Sequence, residues 1–435
     1  VDDDGGGQFT VNGSRFGADP GVLTDADLFD VDLTTSGDGT VNIDILSYRM
    51  RDPDNTFIFA DVNGLSFVVD CTAPGPVADI DAQPGHNKVE VTWTHNGAET
   101  ATYAIYRGLW YDSLTGDSVY PEYDDVLTNT IPTRPSNRDA ADSSAEWELA
   151  GTVGVGTTSF TDIGEVLGTG AFDPAGADRG VYYYEVFAVD TAGNGSGAAA
   201  ANDRSLNYWL GDVPPYVDGN VAPNDITVLG ACFATGHGDG FYNNECDVGP
   251  TEDYSRLAIP TTDSLIDVED LMVFSMYYSV VSPAKGAVPV SDIVELAWVK
   301  MDDGRWALHL VGGSGLKGVR VRSEARVSGL TGGELLTAQP EMTFLVNPGE
   351  AMDVNLALMG THQAITGTGE LFVLSADAEI APEDLAIDVR GANNEKLDYT
   401  LDKAVGDLTP KAFSLGANYP NPFNPMTKIN FALPE

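Results

Sequence analysis

Two acidic segments, GDVPPYVDGNVAPNDITVLGACF at residues 211–233 and CDVGPTEDYSRLAIPTTDSLIDVEDLMVFSMYY at residues 246–278, each run into a short apolar helix signal. Calcium-binding loops need closely spaced oxygen ligands, a glycine or small residue at the sharp turn, and a carboxylate closing the loop from the start of a helix. In the first segment Asp218, Gly219, Asn220 and Asp225 have that spacing, with Asp212 as the opening ligand. The second offers Asp263, Ser264, Asp267 and Asp270, opened by Asp247. Each segment reads either as a calcium loop or as an acidic surface turn. The apolar stripe Leu271, Met272, Phe274 and Met276, with Tyr277 and Tyr278, reads as the core face of a helix.

Two such loops in tandem, over residues 207–282, resemble a dockerin, the paired calcium-binding module of extracellular assemblies. The resemblance implies Ca2+ as the cofactor and a helix face offered to a cohesin. The chain departs from that pattern in two places. Pro214 and Pro215 lengthen the first loop, and a longer insertion separates Asp247 from Asp263. Between the loops, Cys232 and Cys246 flank the glycine-rich turn ATGHGDGFYNNE. In an oxidising compartment they would form a disulfide; otherwise they are two small buried side chains. Neither has a Cys-x-x-Cys partner, and His237 alone leaves a zinc site short of ligands. Cys71 is either a buried thiol or an intermolecular one.

On the N-terminal side, residues 1–71 alternate apolar and polar positions, as in TVNIDIL and LSFVVD, the period of half-buried strands. The order of strand, RDPDN turn and strand resembles the C-terminal part of a cohesin-like β-sandwich, whose open edges would need a partner. TAPGPVADI then leads into KVEVTW, ATYAIYRG, WELAGTV, TSFTD and GVYYYEVFAVDTAGNGS. This order over residues 72–206 resembles a fibronectin type III domain, with Trp93 in an early core strand and Tyr182, Tyr184, Val186 and Ala188 facing inward on a late one. An insertion at 111–144 interrupts it. Loops of that length are functional or extend over a neighbour, so this one reads as a cover for an interdomain joint or as a cation or glycan site.

On the C-terminal side, alternation returns in VELAWVK, RWALHLVG, VRVRSEARVSG, MDVNLALMG and GELFVLSA. Residues 286–403 resemble a cohesin, a nine-stranded sandwich that binds dockerins. The closing string LGANYPNPFNPMTKINFALPE is similar to the opening of the C-terminal sorting module of proteins exported by type IX secretion. That resemblance covers residues 411–435 and implies an immunoglobulin-like sandwich begun but not completed. Its strand Lys428, Ile429, Asn430, Phe431, Ala432 and Leu433 reads as isolated, and so as a suitable donor to an open sheet edge.

The expected fold is therefore mainly β: tandem immunoglobulin-like and cohesin-like sandwiches with a small α-helical module between them. Acidic residues outnumber basic ones 66 to 22, for a formal charge of −44. Such a surface repels nucleic acid and anionic membranes and favours divalent cations. No apolar run reaches the 18 or so residues of a membrane span, and Val1 begins no signal peptide, so the chain is expected to start after processing or inside a longer precursor.

Five histidines, His86, His95, His237, His309 and His362, are scattered singly, with no His-Glu-x-x-His pair and no Gly-x-Ser-x-Gly elbow. Carboxylates are too plentiful to nominate a glycosidase pair. The sequence thus predicts a non-enzymatic protein of the extracellular space or cell surface. The favoured reading is an adhesive scaffold that joins other copies head to tail by strand complementation, a contact that builds filaments, with calcium stabilising its centre. The alternative is an accessory region of a secreted carbohydrate-active or cellulosome-like enzyme, binding polysaccharide or a cohesin or dockerin partner.

Overall fold

The computed structural model describes residues 2–5, 8–10, 38–44, 49–51, 54–58, 63–95, 97, 99–112, 129–164, 172, 179–279, 293–405, 414–415 and 431–432. Residues 113–128 of the expected insertion and most of the C-terminal string lie outside them, including Lys428, Ile429, Asn430 and Leu433.

The fold is mainly β. In the N-terminal region β1 (Asp2–Gly5) pairs with β2 (Gln8–Thr10). Further along, β3 (Gly39–Ile43), β4 (Met50–Arg51), β5 (Phe57–Ile58) and β6 (Leu65–Val69) form two antiparallel pairs, β3 with β6 and β4 with β5. Phe67 and Val69 are half-buried, whereas Leu65 and Val68 are exposed. Cys71 is exposed as well, which excludes the buried-thiol reading.

The first complete sandwich is built from β7 (Ala78–Gly85), β8 (Lys88–Thr94), β9 (Thr100–Asp112), β10 (Asn129–Thr130), the helical turn α1 (Arg138–Asp142), β11 (Trp147–Gly154), β12 (Ser159–Asp162), β13 (Val181–Asp190) and β14 (Asp203–Leu206). One sheet has the order β12-β8-β7, and the facing one runs β10-β9-β13-β14 with β11 also on β9. Val89, Val91 and Trp93 from the first meet Tyr103, Ile105, Tyr182, Tyr184 and Val186 from the second in one core. The inward positions expected on the late strand are thus in place. A buried ion pair ties the two sheets together: Arg107 Nη1 on β9 donates to Asp162 on β12 at 2.7 Å, and the Tyr184 hydroxyl donates to the same carboxylate at 2.8 Å.

The outer face of β13 is covered too. Val181, Tyr183, Phe187 and Val189 join Tyr106, Ala141 of α1 and Trp147 in a second apolar cluster, so every residue of β13 is buried. Glu185, the one charged side chain on that face, is held by Arg134 at 2.6 Å. The described end of the insertion, residues 129–144, therefore lies on the sheet as a cover: Arg134 binds Glu185, and the Tyr106 hydroxyl donates to Asp142.

The C-terminal sandwich comprises β15 (Ile293–Lys300), β16 (Trp306–Gly312), β17 (Leu316–Gly332), β18 (Thr343–Val346), β19 (Ala351–Leu358), β20 (Gly369–Ala376), β21 (Ala386–Gly391) and β22 (Asp398–Val405). Its long strand β17 serves both sheets. The first half pairs with β19 and β21, and the second, from Val327 onward, with β20. From β20 the sheet continues through β16 and β15 to a parallel edge strand, β22. Between the layers Trp298 and Trp306 stack 5.5 Å apart, packed with Leu308, Val319, Leu356 and Phe372.

The last described strands, β23 (Ser414–Leu415) and β24 (Phe431–Ala432), pair with each other. This corrects the expectation of an isolated donor strand, because the backbone of Phe431 and Ala432 already has an in-chain partner on one side.

Candidate functional site

The helical module sits between the two sandwiches and repeats one local design twice. Helix α2 (Pro223–Cys232) starts with proline at its first position, where the missing N–H costs nothing. Asp225 in its first turn accepts from Ala222 N at 2.9 Å and from Val213 N at 3.1 Å. Helix α3 (Val268–Tyr277) is capped by Asp267, which accepts from Glu269 N at 3.0 Å. Asp270 closes the capping box on Asp267 N at 2.8 Å and also accepts from Val248 N and Gly249 N at 2.7 and 2.8 Å. In both halves an acidic side chain in the first helical turn draws in the Asp-Val segment that opened the loop, and its charge complements the helix dipole. The halves are joined by backbone bonds: Ala234 N to Ile266 O, Ile266 N to Thr235 O, His237 N to Ser264 O and Ser279 N to Val221 O, all within 2.9 Å.

The eight expected calcium ligands are placed as follows. Asp212, Asp225, Asp247 and Asp270 are buried; Asp218, Asn220 and Asp263 are exposed, and Asp267 is half-buried. Asp218 and Asp263 accept from the N–H two residues on, at Asn220 and Leu265, as self-contained turns. Asp212 accepts from Arg179 Nη2 at 2.7 Å, and Asp247 from the Tyr242 hydroxyl at 2.7 Å. Among the described residues no three acidic, histidine or cysteine side chains converge as a metal site. The expected ligand sets are therefore not brought together; each carboxylate is engaged by backbone N–H groups, a tyrosine or an arginine. Burial pushes the Asp270 carboxyl well above the usual range and Asp247 adds to the rise, while burial raises Asp225 to about 6.

Cys232 and Cys246 are both buried free thiols: Cys232 Sγ donates to the carbonyls of Val228 and Leu229 at 3.2 and 3.3 Å, and Cys246 Sγ accepts from Asn243 Nδ2 at 3.7 Å. The expected disulfide is not formed.

Helix α3 has no free face. Leu271 to Tyr277 are buried, in one cluster with Tyr208, Leu210 and Val213 that continues into Phe187 of the first sandwich and Ala357 and Met359 of the second. The Phe274 ring lies over Gly211, whose φ of +87° disfavours a side chain; an added Cβ there would meet the ring at 3.0 Å. On the other side Met272 Sδ would come within 2.4 Å of a Cβ at Gly318 on β17, so the helix approaches that strand through a glycine gap. Phe233, just after α2, packs on Phe344 of β18 at 5.3 Å. Two arginines of the C-terminal sandwich close the polar rim. Arg320 binds Asp353 of its own sheet and reaches Asp267 at 2.6 Å, and buried Arg390 binds Asp388 and Glu269 and lies over the Tyr254 ring.

The C-terminal end of α3 is received by the turn after β19. Gly360 N donates to Ser275 O at 2.9 Å and Thr361 Oγ1 to Met276 O at 2.6 Å, satisfying carbonyls that a helix end leaves open. Lys317 secures this turn from beneath, its Nζ donating to the carbonyls of Gly360 at 2.6 Å and Gln363 at 3.3 Å. Burial pushes the Lys317 ammonium down to about 7, against the opposing pull of Glu341. An unfolded lysine titrates near 10.4, so between about pH 7 and 10 the unfolded chain binds the extra proton and stability rises with pH. The melting midpoint is expected to climb by a few degrees from pH 7 to 9. Lys317→Met, which has no charge to lose, should flatten that climb.

A scan against protein-family models and a search of curated proteins each gave no match. Likenesses to solved structures include the following three. A non-cellulosomal cohesin from Archaeoglobus fulgidus aligns at 13% identity and a TM-score of 0.19, over 28% of this chain and 90% of that one. A chain of a type I cohesin–dockerin complex from Clostridium thermocellum aligns at 10% identity and 0.20, over 28% and 96%. A pectate lyase from Pectobacterium carotovorum aligns at 12% identity and 0.15, over 31% of this chain and only 28% of its own length. These scores are too low to carry any assignment, and the fold stands on its strand pairings alone. Among the described residues no helix is long and apolar enough to cross a membrane.

What sequence reasoning missed is how this module is held. The loops and helices were legible, but Arg179, Arg320, Arg390 and Lys317 were not singled out. One signal was available: VYYYEVFAV in β13 lacks the polar alternation of a half-exposed strand, as expected when both faces are covered.

Proposed function

We propose that this chain is a non-enzymatic, exported scaffold of the cell exterior in which a dockerin-like helix pair is the fixed joint between a fibronectin type III-like and a cohesin-like sandwich. The burial of α3 on both sides by its own chain carries this reading. A dockerin-like helix offered to a separate cohesin would keep one face open to solvent. Here Met272, Ser275, Met276 and the Asp267 and Glu269 carboxylates are instead received by residues 318–390 of the same chain. The module transmits position between two rigid bodies, which is a structural task.

Calcium enters this reading at the second loop. A divalent cation there would have to gather Asp247, Asp263, Asp267 and Asp270, which do not converge as they stand, and to draw Asp267 from Arg320 and Asp270 from the N–H groups of Val248, Gly249 and Asp267. Contacts with further copies would use the N-terminal region, where Leu65, Val68, Phe57 and Ile58 are exposed beside strand edges of β3–β6 and β4–β5 that have no partner among the described residues. Light scattering behind size-exclusion chromatography, with electron microscopy of the same fractions, tests the assembly. The expected result is mass that grows with concentration and is lost in Val68→Lys. A chain that stays monomeric at every concentration would remove self-association from the proposal.

A further inference from the structure

We propose that Arg179 is the built-in cation of the first acidic loop, so that this loop binds no calcium and instead latches the helical module to the first sandwich. The inference builds on the dockerin-like reading of the module but concerns the loop to which no ion was assigned above.

Calcium requires six to eight oxygens at 2.3–2.6 Å, with carboxylates turned toward a shared centre. The first loop is arranged differently. Asp212, fully buried, faces three donors: Arg179 Nη2 at 2.7 Å, Asp218 N at 3.1 Å and Gly219 N at 3.1 Å. Arg179 also donates from Nη1 to the Asp212 carbonyl, so its planar fork grips both the side chain and the backbone of one residue. Asp225 has both oxygens aimed at Val213 N and Ala222 N, and Asp218 and Asn220 point to solvent. A cation entering here would have to displace a guanidinium already at contact distance, and would meet N–H hydrogens where it needs lone pairs.

The guanidinium is held independently of the loop. Arg179 lies two residues before β13, is itself buried, and lies 4.8 Å from the Tyr208 ring, which has its own place in the apolar cluster. A second sandwich element closes the loop from the other side. Gly219, at φ +85°, abuts His86 in the β7–β8 turn so closely that a Cβ would fall 2.7 Å from the imidazole, and His86 Nδ1 stands 3.9 Å from Asp212. The sandwich thus supplies a permanent positive charge at the place a calcium loop reserves for its ion. The second loop is arranged otherwise: Arg320 and Arg390 reach its outer carboxylates, Asp267 and Glu269, and leave the buried pair Asp247 and Asp270 to the backbone and Tyr242.

Calcium bound per chain, measured by elemental analysis after equilibrium dialysis at millimolar Ca2+, tests this. Asp218 is exposed, and Asp218→Ala removes its carboxylate oxygens from the first loop at the cost only of the turn bond from Asn220 N. The expected result is the same calcium content in Asp218→Ala and the parent chain, and one added ion in Arg179→Gln that is lost again in Arg179→Gln/Asp218→Ala. A parent chain that loses one calcium on Asp218→Ala would overturn the proposal, and this arm decides even if Arg179→Gln does not fold. Asp263→Ala reports separately on the second loop: no change there removes calcium from the proposed function and leaves the assignment of Arg179 standing.

Discussion

Phe274→Ala is expected to destabilise the central module by about 3–5 kcal/mol, the range for emptying a buried aromatic site. The ring is fully buried, lies over Gly211, and belongs to the cluster that runs from the first sandwich through both helices. Gly211 cannot fill the space, since its φ of +87° excludes a larger residue without strain. The surrounding backbone is pinned by the Trp209–Tyr277 ring contact and by Asp212, so collapse into the cavity is limited. Calorimetry should show an earlier transition for the module, with the core transition of the C-terminal sandwich, centred on Trp298 and Trp306, displaced little. Phe274→Leu, which keeps most of the volume, should recover more than half of the loss. A matching test from the other side is Gly318→Val, whose Cβ would press on Met272 Sδ and the Leu356 carbonyl and push β17 away from the helix.

Arg390→Met should cost about 2–3 kcal/mol. Removing one member of a wholly buried pair costs about 3–5 kcal/mol, and the figure is reduced here because Glu269 and Asp388 keep part of their hydration. The side chain joins two bodies: it binds Asp388 at 2.8 Å and Asn394 at 3.4 Å within the sandwich, and Glu269 at 3.1 Å with the Tyr254 ring across the joint. Its loss should therefore appear first as faster proteolysis around Tyr254, before any change in the sandwich core. Arg390→Lys should restore charge but not the fork, and so only part of the stability.

The sequence was most informative where local chemistry acts alone. The apolar stripe Leu271, Met272, Phe274 and Met276 announced a helix, and alternation in VELAWVK and GELFVLSA announced half-buried strands; all of these formed. It was least informative where charges meet across long separations. Arg179 and Asp212 are 33 residues apart and Arg390 and Glu269 are 121 apart, with no periodicity to join them. The same difficulty explains the acidic loops. Spacing alone showed that their carboxylates could converge on an ion, but the N–H groups of Val213, Val248 and Gly249 and the guanidinium of Arg179 decide where those carboxylates turn. Cys232 and Cys246 fell between the two cases: their burial was legible as one of two readings, and the disulfide of the other reading is not formed.

The account rests on α3 being enclosed by its own chain, and amide hydrogen exchange of residues 268–277 in the intact protein tests that most directly. Enclosure requires the amides of Leu271 to Met276 to exchange as slowly as those of β13 and β19, the strands of the two flanking sandwiches, with or without a calcium chelator. Fast exchange along α3, with those strands still protected, would mean that the helix stands open to an outside partner, and the fixed joint would have to be abandoned.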